Sequence, residues 1–140
     1  MMRVLGLDVG DRRIGVAMSD ALGITAQRLA LVERGASPQH DVDAIATLAD
    51  QHQARAIVVG LPLTMKGEQG EQAQKVLAFV ETLRARVTCP VEMVDERLTT
   101  VQGQRALLET DTSRKRRKDL IDQVAAQLIL QSYLDAHAQR

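Results

Sequence analysis

The feature that most constrains this chain is a change of period near residue 37. Before it, residues 3–9, 13–19 and 26–33 read as three short strands in quick succession, the first two joined by a turn through Gly10 and Asp11. Connections this short join antiparallel neighbours, so a meander opens the fold. Beyond it, Ser37-Pro38 has the form of a helix cap followed by proline in the first turn, and Val42, Ile45, Ala46 and Ala49 fall at helical spacing. "ARAIVVGLP" (54–62) is a continuous apolar run of the kind that fills a buried parallel strand. A loop punctuated by Gly67 and Gly70 leads to a helix over about 71–87, and "PVEMVDE" (90–96) supplies a fifth strand. Thr99 and Gln102 have the form of a capping box opening a helix that carries Leu107 and Leu108. A polar, basic loop spans 110–118, and a long helix runs from about 119 to 137. The order β-β-β-α-β-α-β-α-α implies one mixed five-stranded sheet flanked by helices, an α/β three-layer arrangement, with residues 1–140 forming a single domain.

Within this scheme Asp8 is out of place. It stands mid-strand between Leu7 and Val9, where aspartate is disfavoured, and a buried carboxylate is costly unless it is neutralised, paired or holding a cation. Asp95 and Glu96 close the last strand, and Asp122 falls in the first turns of the final helix. Ligands of open α/β sheets gather beyond the carboxyl ends of parallel strands, so Asp8 and Glu96 face a common space if their strands are near neighbours. On the final helix Gln123, Gln127 and Gln131 mark a wet stripe. Leu120, Ile121, Val124, Ala125, Leu128 and Ile129 mark the arc packed on the sheet. Asp122 lies at the edge of that arc, beside Ala126 and Ile129. Acids converging in a confined place repel one another unless cations offset them, and hard Mg²⁺ or Mn²⁺ suits an all-oxygen ligand set. Such a set is the chemistry of two-metal phosphodiester cleavage. Taken one at a time, the same acids also read as ordinary features. Asp122 serves as a first-turn acid favourable to the helix dipole, and Asp95 as a partner for Arg97.

Composition narrows the partners. Eighteen Lys and Arg balance eighteen Asp and Glu, which excludes a broad basic field, so nucleic-acid contacts must come from local patches. The run "SRKRRKD" (113–119) is such a patch, offering Arg114, Lys115, Arg116 and Arg117 beside the acids; as a charge run it reads equally as a solvated loop. Arg12 and Arg13 in the first hairpin are candidates for the same surface. Phe79 and Tyr133 are the whole aromatic set, so there is little on which to stack bases. "GLPLTMKGEQG" (60–70) either cradles a phosphate with backbone N–H groups or merely punctuates a strand-to-helix connection. Cys89 stands alone, which excludes an internal disulfide and any cysteine-cluster zinc site. The opening "MMRVLGLDVG" has neither a long apolar span nor a signal-peptide cleavage pattern, so a soluble cytoplasmic protein with no membrane partner is expected.

Four blocks, "GLDVGDRRIGVAMSD", "VVGLPLTMKGEQG", "VDERLTT" and "KDLIDQVAAQLILQSYLD", together resemble the YqgF/RuvX family. The match runs in order from about residue 3 to residue 135. The family is described as Holliday-junction resolvases or pre-16S rRNA nucleases, and the resemblance implies an RNase H-like fold. It implies that Asp8 is the first-strand metal ligand, Glu96 the last-strand acid and Asp122 the acid of the C-terminal helix. Lys66 departs from the acidic or polar residue expected in the loop motif. The implied activity is metal-dependent cleavage of structured nucleic acid, first the 5′ end of precursor 16S rRNA in ribosome biogenesis, second four-way DNA junctions in recombination or repair. Junction resolution needs two symmetric cuts and so predicts a homodimer, whereas rRNA processing is open to a monomer. A rival reading is a non-catalytic nucleic-acid-binding factor for ribosome assembly or transcription. A further one, the Asp-x-Gly phosphate motif of actin-like ATPases and sugar kinases, needs two domains where this length supplies one.

Overall fold

The computed structural model describes residues 3–98 and 114–138, with side chains described for 3–97 and 123–137. The elements are β1 (Val4–Val9), β2 (Arg13–Ser19), β3 (Ala26–Glu33), α1 (Pro38–Gln51), β4 (Ala56–Leu61), α2 (Glu71–Arg86), β5 (Val91–Asp95), a 3₁₀ turn (Glu96–Leu98) and α3 (Arg114–Ala138). The sheet order is β3-β2-β1-β4-β5, with β1 antiparallel to β2 and parallel to β4, and β4 parallel to β5. The helix anticipated from Thr99, carrying Leu107 and Leu108, lies outside the described residues.

Strand β1 is buried on both faces, and this is why its apolar run is unbroken save at one position. Leu5 and Leu7 point to the side covered by α1 and α2, where Ile57, Val59, Val42, Ile45, Phe79 and Leu83 close the larger core. Val4 points to the other side, against Ala126, Ile129, Leu130 and Leu134 of α3. Gly6 and Asp8 share that second face, because side chains alternate along a strand. A β-carbon at Gly6 would stand 2.6 Å from Leu130 Cβ and 3.1 Å from the Ala126 carbonyl, so α3 rests almost directly on the β1 backbone. We expect Gly6→Ala to lift the helix and lower the unfolding free energy by about 1–3 kcal/mol, read from urea denaturation.

Two expectations about α3 need correction. The stretch 110–118 is not loop throughout, because the helix already begins at Arg114. Arg and Lys are good helix formers, and they extend α3 backward despite the unfavourable placement of cations at a helix N-terminus. Asp122 therefore sits in the third turn, not the first. The glutamine stripe is also not wet along its length. Gln131 accepts from the Ala26 amide through Oε1 at 2.9 Å, and its Nε2 donates to the Ile24 carbonyl at 2.9 Å. Gln127 donates to the Ala26 carbonyl at 2.9 Å. These side-chain amides stand in for the peptide groups of a neighbouring strand and tie α3 to the start of β3.

Candidate active site

The carboxyl ends of β1 and β4 and the turn after β5 meet in one small cavity. Register explains the meeting. Asp8 lies one step past the paired residues Leu7 and Val59, level with Gly60, and Gly60 in turn pairs with Val94. Val94 packs on the α3 side, and Glu96, two positions on, opens the 3₁₀ turn toward the same side. The cavity, of about 200 Å³, is lined by Asp8, Gly10, Gly60, Pro62, Gln72 and Glu96 among others. Both acids are sequestered, Asp8 at 5% and Glu96 at 3% exposure.

Gly60 is the spacer between them. A β-carbon on this middle strand would stand 3.1 Å from Glu96 Cγ and Oε1 and 2.4 Å from Ile129 Cδ1. Only a residue without a side chain leaves room here for Glu96 and Ile129. Its signal in the sequence was weak, since Gly60 read as the end of an apolar run before Pro62. Gln72 had no readable signal, because only the length and path of the intervening loop bring the start of α2 to the cavity.

Asp95 takes a different part. Arg97 donates to it through Nη2 at 2.7 Å and through Nε at 3.1 Å, and the Arg97 backbone amide donates to it at 2.9 Å. The guanidinium hydrogen bonds hold this carboxyl below the usual carboxylate range. Arg97 also lies against Gly67, whose φ of +82° only glycine adopts readily. Asp95 and Arg97 thus brace the 62–70 loop beside the cavity. That loop spends its amides on itself. Thr64 donates to the Glu68 carbonyl, Gly67 to the Thr64 carbonyl, Gly70 to the Glu68 carbonyl, and Glu68 to Thr64 Oγ1. This internal pairing fits the role of a connection better than that of a phosphate cradle.

The hairpin turn is braced from below. Arg34 donates through Nη1 to the Gly10 carbonyl and through Nε to Asp41 Oδ2, each at 2.9 Å, and its backbone amide donates to the Arg12 carbonyl. Arg12 is exposed at this turn and Arg13, opening β2, is half-buried. Arg114, Lys115, Arg116 and Arg117 form the first turns of α3, and Asp122 lies one helical turn before Ala126, which itself stands over Gly6. The side chains of these five residues are outside those described. Among the described residues no group of three or more His, Cys, Asp or Glu side chains is placed to hold a metal ion. None of the described helices is long and apolar enough to cross a membrane.

A mixed sheet in the order 3-2-1-4-5, layered between helices and carrying acids at the ends of β1 and β5, is the architecture of the RNase H-like fold. A solved structure of similar fold is that titled "T. thermophilus RuvC in complex with Holliday junction substrate", with a TM-score of 0.61 at 17% identity, covering 99% of this chain and 97% of that one. The chain belongs to the family whose model is described as "RuvX: Holliday junction resolvase", which matches residues 2–136. A protein of Myxococcus xanthus named "Putative pre-16S rRNA nuclease" is 51% identical over 136 residues, 97% of this chain and 89% of that one. One of the same name from Clostridium novyi is 50% identical over 135 residues, 96% of this chain and 99% of that one.

Proposed function

We propose that this protein is a metal-dependent endonuclease acting on structured nucleic acid, with Asp8, Glu96 and Asp122 as the metal-holding acids. The observation that carries the reading is the burial of Asp8 and Glu96 in one cavity at the carboxyl ends of parallel strands. The donor set fits the ion. Two sequestered carboxylates with a side-chain amide nearby offer hard oxygens, the preference of Mg²⁺ and Mn²⁺. The helical register supports Asp122 as the third acid. Leu134 packs in the same cluster as Val4, Leu130 stands over Gly6, and a further step along the helix axis leads toward Asp8.

A bound divalent ion would supply Lewis acidity, polarising the phosphoryl oxygen and lowering the pKa of an attacking water. The chain's own residues do the rest. Asp8 is held by β1 and Glu96 by the turn that directly closes β5, so the hydrogen bonds of the sheet keep the elements that carry them in register. Gly60 keeps the floor open between them, and Gln72 presents an amide to whatever occupies the cavity. The acids lie where a phosphate would meet them only with its charge offset, and the basic start of α3 provides local cations for the flanking backbone.

Precursor 16S rRNA is the first substrate, in keeping with the names of the two bacterial relatives, and the setting is the cytoplasm. The four-way DNA junction is the alternative, in keeping with the description of the family model. Incubating the purified protein with each substrate in Mg²⁺ and in Mn²⁺ separates them: site-specific cleavage of the rRNA precursor with the junction left intact supports the first. Cleavage of neither by wild-type protein overturns the nuclease reading. Neutralising Arg116 and Arg117 together is expected to weaken substrate binding and to reduce the slope of log K against log salt by about 1.4–1.8. An unchanged slope removes those two residues from the interface.

A further inference from the structure

A cavity larger than the acidic one lies elsewhere in the described structure. It measures about 540 Å³ and lies at the opposite end of the sheet, between the starts of β1, β4 and β5 and the last turns of α3. A stacked ring pair lies there. Tyr133 and His137 lie ring on ring, centroids 3.9 Å apart and planes 30° from parallel. The Tyr133 hydroxyl donates to Glu92 Oε2 at 2.7 Å, which fixes the phenol ring. His137 Nδ1 lies 2.8 Å from the Tyr133 carbonyl. A carbonyl only accepts, so Nδ1 carries the proton of this hydrogen bond, and Nε2 is left for another partner. Arg55 adds a donor to the wall. On the rim, the turn after β2 holds out Leu22 at 76% and Ile24 at 59% exposure.

Such a pocket is within the size range of ligand sites, with mainly apolar walls and a few convergent polar groups. Its chemistry selects a flat heteroaromatic body with donors and acceptors on its edge. The ring stack offers a face, the aliphatic rim offers cover, and Glu92, His137 and Arg55 offer edge partners. A nucleobase is that body. Position points the same way. Val91 faces the α1–α2 core, so Glu92, Val94 and Glu96 fall on the α3 side of β5, an edge strand. Glu92 lines this cavity and Glu96 the acidic one, four residues or about 13 Å along the strand. A single strand held at the acids and running along this face of β5 therefore reaches the ring stack.

We propose that the Tyr133–His137 pocket takes a base of the single-stranded segment flanking the cleaved bond. The proposal rests on the nuclease reading for its substrate, but its test does not require cleavage. Short single-stranded RNAs carrying 2-aminopurine at successive positions would be titrated with the full-length protein in Ca²⁺, alongside 2-aminopurine riboside monophosphate alone. Stacking quenches 2-aminopurine, so quenching is expected at one or two adjacent positions of the strand and not with the monophosphate at the same concentration. Tyr133→Leu should abolish the quench and weaken strand binding about tenfold. Tyr133→Phe, which keeps the ring, should stay within about twofold of wild type. Both variants would be checked for an unchanged thermal midpoint, and Glu92→Gln, which retains an acceptor for the hydroxyl, serves if Tyr133→Leu unfolds. No quenching at any position, or wild-type binding by a folded Tyr133→Leu, overturns the proposal. Equal quenching by the monophosphate makes this a free-nucleotide site and overturns the strand assignment. A dimer broken by Ile24→Ser, with no quenching, assigns the pocket to a second copy of the chain and likewise overturns it. A protein that cleaves neither substrate yet quenches as described loses the nuclease reading and keeps this one.

Discussion

Asp8→Asn is expected to lower the cleavage rate by at least ~100-fold, because on the proposed assignment it removes a direct ligand, where loss of a merely supporting partner already costs 10–100-fold. Asparagine matches aspartate in shape, so the variant should fold, and its effect can be separated from misfolding by a second measurement. Ions that bind only the native state raise stability by RT ln(1 + [L]/Kd), about 2.7 kcal/mol at a hundredfold excess over Kd. Mn²⁺ titrated into wild-type protein during thermal unfolding should produce such a rise, and Asp8→Asn should lose most of it. A variant that cleaves normally, or one stabilised by Mn²⁺ as much as wild type, would sink the assignment of Asp8. The two readouts fail separately: activity alone reports chemistry, whereas the midpoint shift reports the ion.

Asp41→Ala is expected to cost about 3–5 kcal/mol of folding stability, the range for breaking a buried pair from one side. The Asp41 side chain is only 3% exposed, and Arg34 opposite it is 22% exposed. Asp41 accepts from Arg34 Nε at 2.9 Å and from the Gly35 amide at 2.7 Å, so both oxygens are engaged. Arg34 lies 5.5 Å above the Phe79 ring centroid while it also reaches the Gly10 carbonyl. Removing the carboxylate leaves a guanidinium over an aromatic ring and an amide without its acceptor. Against a total stability of about 5–15 kcal/mol for a domain, that is a large fraction. Asp41→Asn keeps an acceptor and should fall between the two. Urea denaturation decides it, and a loss under about 1 kcal/mol for alanine would show that the network is not cooperative.

How much of this was legible beforehand depends on the range of the interaction. Strand β1 announced itself because both of its faces are buried, and the same fact made Asp8 conspicuous. Glu96 and Asp95 part because alternation along a strand carries one residue past the end of β5. Asp41 carries no readable signal, because nothing local reveals that α1 brings it under the hairpin turn. The glutamines misled because a polar residue at helical spacing normally meets water, whereas here it meets the backbone of β3. The basic stretch before α3 misled in the other direction: clustered charge suggests a loop, yet Arg and Lys propagate a helix well. Gly60 is the clearest case of information held only in three dimensions, since its need for no side chain comes from Glu96 and Ile129, both distant in sequence.

The amide clamp of Gln127 and Gln131 on Ala26 has a consequence for how the protein behaves in a crowded solution. A sheet margin with unsatisfied peptide groups invites another chain to extend it, and proteins guard such margins. At this corner the guard is two carboxamides from the far end of the polypeptide. Replacing Gln127 and Gln131 by alanine would strip that protection from β3 while leaving the apolar face of α3 on β1, and the variant should self-associate through the bared strand.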